Sequence, residues 1–492
     1  MRDNPNRTLP KLMVWFTIFI SFSYIFYTLR FTHSYRLYTQ NPLTTRNQLQ
    51  PKLSNVTDSV HKTPVITEYE NPNRTQLKHI VFGIGGSAKL WDHRQNYIKL
   101  WWRPNEMRGF VWLDQPVNND TQYDDTSSLP PLKISSEISK FDYTNPKGDR
   151  SGIRISRIVS EMVRLEMEDV RWLVMGDDDT MFFPDNLPRV LQKYDHNQFY
   201  YIGSTSESHL QNIYFSYNMA YGGGGFAISY PLAKALAKIQ DTCIQRYPNL
   251  YGSDDRIQAC MAELGVPLTK EIGFHQCDMY GNIFGFLAAH PVAPLVSLHH
   301  LDLVDPIFPG VDRVQALERL KLPTKLDSAG LLQQSICYDQ SKKWTISVSW
   351  GYAVQIFQFI IPAREMEIPR VTFLNWHRKA DYTAFAFNTR PVHEDACEWP
   401  YIYVMSNALY DPFNNRTASE YVQVRTPPRP QERCWWKMAD PSHIQRVEVY
   451  KKPDPHLWDK SPRRNCCRVL PSKKKGTIAI DVGECREGET IN

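Results

Sequence analysis

Apolar and polar positions divide the chain into regions of different texture. Leu12 to Leu29, LMVWFTIFISFSYIFYTL, is an apolar run of 18 residues without a charge, long enough to cross a bilayer as a helix. Residues 34 to about 76 are polar, rich in Thr, Asn, Pro and Gln, and show no apolar period, which predicts a stem or linker. From His79 the texture changes. Ile80-Val81-Phe82 reads as a buried strand closed by Gly83-Ile84-Gly85-Gly86, a helical stretch runs through Trp101, and Gly109 to Asp114 reads as a second strand. Ile155, Ile158, Val159, Met162 and Leu165 recur near helical spacing, and Trp172-Leu173-Val174-Met175 is a third strand, ended by Gly176 and three aspartates. Helices are predicted over Pro184 to Tyr194 and Pro231 to Tyr247, each opening with proline in its first turn. Alternating strands and helices predict an α/β fold with a parallel sheet covered on both faces. In such sheets ligands bind at the carboxyl ends of the strands. Beyond about residue 330 the pattern becomes β-rich, as in Trp344 to Trp350 and Tyr401 to Val404.

The first apolar run is longer than the core of an ordinary signal peptide. It is followed by Arg30-Phe31-Thr32-His33 instead of a small-residue cleavage site, so an uncleaved anchor is expected. Arg2, Arg7 and Lys11 precede it and favour a cytoplasmic N-terminus. Its minimal length suits the thinner membranes of the early secretory pathway. Sequons at Asn55, Asn73, Asn119 and Asn415 agree with a lumenal location, as do nine cysteines that all follow the run. None of the cysteines has the paired spacing of a zinc site, and in an oxidising lumen most should pair, leaving one over. The net charge of +5 is spread along the chain, and Arg463-Arg464 and Lys473-Lys474-Lys475 are short runs of solvated surface. No basic patch is interleaved with aromatics, so no nucleic-acid partner is expected.

Four groups can carry chemistry. Asp177-Asp178-Asp179 places three mutually repelling carboxylates behind a buried strand, an arrangement that a divalent cation compensates. Tyr221-Gly222-Gly223-Gly224-Gly225-Phe226 allows close approach of the backbone to a ligand. It lacks the Lys-Ser/Thr of a P-loop. Ser253-Asp254-Asp255 opens a helix-like stretch; Asp254 is either its cap or a general base for an acceptor hydroxyl. His299-His300 closes the apolar run Pro294 to Leu298 and offers a neutral imidazole to a metal.

Taken in order, these motifs resemble the Fringe-like glycosyltransferases, which include the core 1 β1,3-galactosyltransferases. Trp172 to Thr180 is similar to the family's strand and DDD motif, Gly222 to Ser229 to its GGAGF-I-S segment, and Asp254-Asp255 with Leu264-Gly265-Val266 to its acidic pair before LGV. Ser297-Leu298-His299-His300-Leu301-Asp302 is similar to its S-F-H-x-x-D segment. A plant Fringe-related group of membrane proteins shares the GDDDT, YDHNQ and SLHHLD strings. The resemblance spans residues 78 to 312. It implies a GT-A (Rossmann-like) fold, a UDP-sugar donor, manganese or another divalent cation, and inversion at the anomeric carbon.

Carried over, Asp179, Asp177 and His299 would hold the metal, with Asp177 and Asp178 also orienting ion and ribose. Gly223 and Gly224 would line the donor sugar, and Asp255 or Asp254 would be the base. Four glycines stand in place of GGAG, and Tyr230 where a basic residue often follows the serine. The expected organisation is a cytoplasmic tail (1–11), a transmembrane signal anchor (12–29), a stem (30–76), a GT-A-like domain (77–329) and a β-rich, cysteine-containing accessory region (330–492). Such a protein would be a type II Golgi membrane enzyme transferring a hexose or N-acetylhexosamine to a lumenal glycan or glycoprotein, through a β1,3 linkage. The competing expectation is a catalytically silent lumenal module that retains the donor fold to bind a glycan or protein.

Overall fold

The structure, a computed structural model, describes residues 74–117, 128–377, 383–425 and 438–491. The apolar run 12–29, the stem and the sequons at Asn55, Asn73 and Asn119 lie outside these residues. Among the described residues no helix is long and apolar enough to cross a membrane.

The chain runs through β1 (Ile80–Gly85), α1 (Trp91–Trp101), β2 (Arg108–Leu113), β3 (Leu132–Ile134), α2 (Ser151–Ser156), α3 (Ile158–Val163) and β4 (Trp172–Asp177). There follow β5 (Met181–Phe182), α4 (Asn186–Leu191), β6 (Tyr201–Gly203), α5 (His209–Tyr214), β7 (Phe226–Ser229), α6 (Tyr230–Arg246), α7 (Asp254–Glu263) and β8 (Leu268–Lys270). Seven of these strands form one sheet in the order β3-β2-β1-β4-β7-β6-β8. Side chains alternate between two cores. Ile80, Phe82, Trp172 and Val174 pack with Trp91, Ile98 and Trp101 of α1 on one face, whereas Val81, Leu173 and Met175 pack with Ile158, Met162, Leu232 and Leu236 of α3 and α6 on the other. That alternation is what a strand buried on both faces requires.

The all-parallel expectation is corrected in one strand. β7 runs antiparallel to both β4 and β6. A four-residue apolar strand carries no sign of its direction, and here the glycine run decides it. Gly225 N–H closes a turn onto Gly222 O at 2.9 Å, and Phe226 pairs with Met175 at the carboxyl end of β4. The chain can then only run back along β4, which leaves the glycines at that strand's functional end. The single helix expected over 152–168 is also divided, into α2 and α3, at Arg157.

A small sheet completes the site. β9 (Phe274–His275), β10 (Met279–Gly281) and β11 (Ser297–Leu298) come next in the chain. β11 pairs antiparallel with β5 and parallel with β9. The pairing of Leu298 with Met181 brings the residue after Leu298 to the aspartate turn that precedes β5.

Beyond residue 330 lie β12 (Gln334–Asp339), β13 (Trp344–Ser349), β14 (Ala353–Phe357), β15 (Phe373–Asn375), β16 (Tyr401–Asp411), β17 (Arg416–Arg425), β18 (Arg446–Lys451), β19 (Cys466–Leu470) and β20 (Thr477–Gly483). Eight of these form a sheet in the order β12-β13-β14-β16-β17-β18-β20-β19. Cys337–Cys467 joins β12 to β19, the strands at its two ends. β13 is buried along its whole length instead of alternating with solvent. Trp344, Ile346 and Val348 enter the core of the sheet, while small hydroxyls face the other way, Ser349 Oγ donating to Leu287 O at 3.2 Å. β15 pairs with β10, and Tyr352, Phe373 and Val404 share a core with Phe286, so apolar packing continues across residue 330. Cys243–Cys260 and Cys466–Cys485 are also bridged, Cys397 is disulfide-bonded, and Cys277 is a buried free thiol.

Candidate active site

The aspartate turn begins where β4 ends. Gly85 of β1 is the partner of Asp177, and Thr180 fixes the turn by accepting from Asp177 N at 2.8 Å and donating to Gly223 O at 2.7 Å. The same threonine therefore ties the acidic turn to the glycine turn. Asp178 and Asp179 are buried and Asp177 is half-buried.

Asp177, Asp179 and His299 each offer one ligand atom, and these atoms all lie within 4.8 Å of one another. His299 Nε2 stands 3.2 Å from Asp179 Oδ1 and 3.8 Å from Asp177 Oδ2. Two carboxylates and an imidazole form a donor set that suits a divalent ion of the first transition row. His299 Nδ1 is buried and has no hydrogen-bond partner among the described residues. Burial alone would lower the imidazole, but Asp179 and then Asp177 overcome it and hold the ring up to about 9. Burial raises Asp177 to about 7 against the pull of His299, and raises Asp178 to about 6 with help from Asp179. Asp179 is the exception. Burial opposes its ionisation, yet His299 and Arg94 hold it well below the usual carboxylate range. The three aspartates thus have three different environments.

The glycines are close-contact positions. A methyl group on Gly223 would overlap the His299 imidazole, and one on Gly222 would overlap the Asp254 carboxylate. Gly224 N–H donates to Gln276 Oε1 at 2.7 Å, and Gly225 has φ +82°, a left-handed value that favours glycine. Gly223 and Gly224, expected against a donor sugar, lie against His299 and Gln276 respectively.

The two candidate bases separate. Asp255 accepts from Tyr251 N at 2.6 Å and Gly252 N at 3.0 Å, so it organises the loop that opens α7. Asp254 takes no such part. It accepts from the Gly222 backbone and from Ser253 Oγ, and with Asp177, Gly222, Phe226, Gly83 and Gly85 it lines a small cleft. Burial raises its carboxyl to about 6. Cys243–Cys260 bonds α7 to α6 and so fixes the helix that carries this residue.

Sequence reasoning missed the cation already present. Arg94 of α1 pairs with Asp179, lies 3.9 Å from Asp178 and reaches Asp302 at 2.9 Å. Tyr97, one turn on, donates to the same Asp302. Asp302 was legible as the last letter of the SLHHLD string; Arg94 had no local mark. A second group behind the site was also silent. His300 stacks on Trp376 at 4.7 Å, Trp376 on Tyr280 at 5.0 Å, and His300 Nδ1 lies 3.0 Å from the buried Asp278.

Two families of known proteins match the chain. The family described as Fringe-like matches residues 75–282, and the family described as "Protein of unknown function, DUF604" matches residues 211–467, more than half of the chain. Beta-1,3-glucosyltransferases of Mus musculus and Homo sapiens are 28% and 27% identical over 171 residues, 35% of this chain. That match spans 33% of the length of each relative. Among solved structures, the galactosyltransferase LgtC in complex with donor and acceptor sugar analogues matches at 13% identity and a TM-score of 0.30, covering 49% of this chain and 94% of that one. Mouse xyloside xylosyltransferase 1 in its apo form matches at 8% identity and a TM-score of 0.26, covering 42% and 86%.

Proposed function

The chain belongs to the DUF604 family and carries a Fringe-like segment over residues 75–282, and from that premise we propose that it is an inverting, metal-dependent glycosyltransferase of the GT-A type. Its donor is a UDP-sugar, a hexose or N-acetylhexosamine, and its acceptor is a hydroxyl of a lumenal glycan or glycoprotein, joined through a β1,3 linkage. The observation that supports this most is the convergence of Asp177, Asp179 and His299 within 4.8 Å at the carboxyl end of β4, where an α/β sheet binds its ligand.

Manganese held by these three residues would neutralise the charge that gathers on the departing diphosphate. The protein's own groups do the rest. Arg94 occupies one oxygen of Asp179 and leaves the other facing His299, so the carboxylate is oriented before any ligand arrives. Asp254 is the general base. The acceptor oxygen attacks the anomeric carbon from the face opposite the diphosphate, and the bond from that carbon to the phosphate oxygen breaks. UDP leaves with the bonding pair, and the acceptor proton passes to Asp254. A carboxylate raised to about 6 is ionised at neutral pH and basic enough to take it. Localisation in the Golgi membrane, with 12–29 as the anchor and the site lumenal, belongs to the same proposal.

A panel of UDP-sugars incubated with the purified chain tests it. UDP release that depends on manganese and disappears in Asp179→Ala is expected; equal turnover by both proteins overturns the proposal.

A further inference from the structure

α5 carries its polarity inside out. Leu210, Ile213 and Tyr214 stand at positions i, i+3 and i+4, the spacing that normally faces a core, yet all three face solvent, Ile213 and Tyr214 each 63% exposed. Asn212 is buried instead, bonded to Ser206 O at 2.7 Å and Ser206 N at 3.0 Å. The apolar surface continues beyond the helix. Phe215 meets Tyr214 at 4.8 Å, Tyr251 at 5.6 Å and Tyr221 at 6.2 Å. Its root is fixed, because His209 N–H donates to Ala384 O at 3.0 Å and Ala386 N–H to Glu207 O at 2.8 Å.

This surface adjoins the site from two directions. Tyr221 immediately precedes Gly222, which touches Asp254, and Tyr251 lies three residues before Asp254. Tyr221 sits beneath this surface. It is 4% exposed, and its hydroxyl has no hydrogen-bond partner among the described residues. Such a group is costly to leave unpaired, and a ligand hydroxyl would satisfy it. Charge identifies the ligand. Between Glu207 and Lys234 the chain has no Asp, Glu, Lys or Arg, and Asp278 and Asp254, the carboxylates whose charge acts most on Tyr221, would repel an anion. What remains is a shelf of rings interspersed with Gln211, Ser216 and Asn218. Rings present flat apolar faces while amides and hydroxyls bond uncharged polar groups.

We propose that this shelf seats the acceptor, and that the part it grips is an uncharged saccharide. Its C–H faces lie on Tyr214, Ile213 and Tyr251, and one of its hydroxyls accepts from Tyr221 Oη. The inference rests on the transferase reading and deepens it by naming the acceptor class and its seat.

The test uses the full chain and uncharged p-nitrophenyl hexosides as probes, with binding read by saturation-transfer NMR and transfer by acceptor KM. Ile213→Ser with Tyr214→Ala should weaken hexoside binding and raise the acceptor KM at least tenfold relative to the donor KM. Tyr221→Phe, which removes only the hydroxyl, should raise it about tenfold. Phe413→Ser, at a residue 97% exposed in the turn between β16 and β17, should change neither. Unchanged hexoside binding in both shelf variants overturns the inference. So does a loss seen with whole glycoproteins alone, which would make the shelf a protein-docking face. Because NMR needs no turnover, failure of the wild type to release UDP would sink the transferase reading separately.

Discussion

Gly223 lies against the imidazole of His299, with no room between them for a methyl group. The glycine turn precedes β7 and the histidine follows β11, distant in sequence, and the contact sets where Nε2 can stand relative to Asp179. Gly223→Ala should therefore displace the ring. We expect the variant to fold, as judged by circular dichroism, and to lose manganese-dependent UDP binding by at least tenfold. Binding at wild-type affinity would show that the contact is incidental.

Asp254 and Asp255 are neighbours with different surroundings, Asp255 bonded to the loop before α7 and Asp254 turned to Gly222. Asp254→Asn should keep UDP binding and reduce transfer about 10³-fold, within the range of a lost general base. Asp255→Asn should chiefly cost stability, about 1 kcal/mol in denaturant unfolding, because it weakens the acceptor of two backbone N–H groups.

The raised carboxyl of Asp254 fixes the sign of a pH effect. Transfer should fall as pH drops through about 6, since only the ionised form accepts a proton. Stability moves the other way. A carboxyl above its ordinary value takes up its proton more readily in the folded chain, so its ionised form destabilises the fold at neutral pH. That penalty is relieved as pH falls from about 6 towards the ordinary value. Asp254→Asn should accordingly be more stable than wild type at pH 7.5, by about 1 kcal/mol after allowance for partial exposure. Matched urea titrations at pH 7.5 and 5 check both signs.

Arg94 balances Asp179, Asp178 and Asp302 at once. Arg94→Met leaves buried carboxylates without their cation and should destabilise the chain by about 3 kcal/mol. Added manganese should raise the melting temperature of this variant more than that of wild type, because a cation that binds the folded form alone stabilises it. An equal shift in both would separate Arg94 from the metal-binding charge balance.

The sequence was readable where physics is local. Three carboxylates behind Trp172–Met175 repel one another and need a counter-charge, and Gly222–Gly225 offer no side chain for packing, so both pointed to a site. His299 was legible as an imidazole closing an apolar run. The odd cysteine count left one thiol over, and Cys277 is that thiol among the described residues. Direction and distance were not readable. Phe226–Ser229 has the same composition in either orientation, so its antiparallel course emerged only from its pairing. Arg94 precedes Asp179 by 85 residues and belongs to an ordinary amphipathic helix. The different surroundings of Asp254 and Asp255 depend on which side of one helix start faces the glycines, and adjacent letters cannot show that.

Calorimetric titration of UDP into the purified full chain, with and without manganese, bears most directly on the central claim. Saturable binding with the metal, lost on its removal and lost again in His299→Ala with the metal present, is the predicted result. Binding indifferent to manganese and to His299 would contradict it.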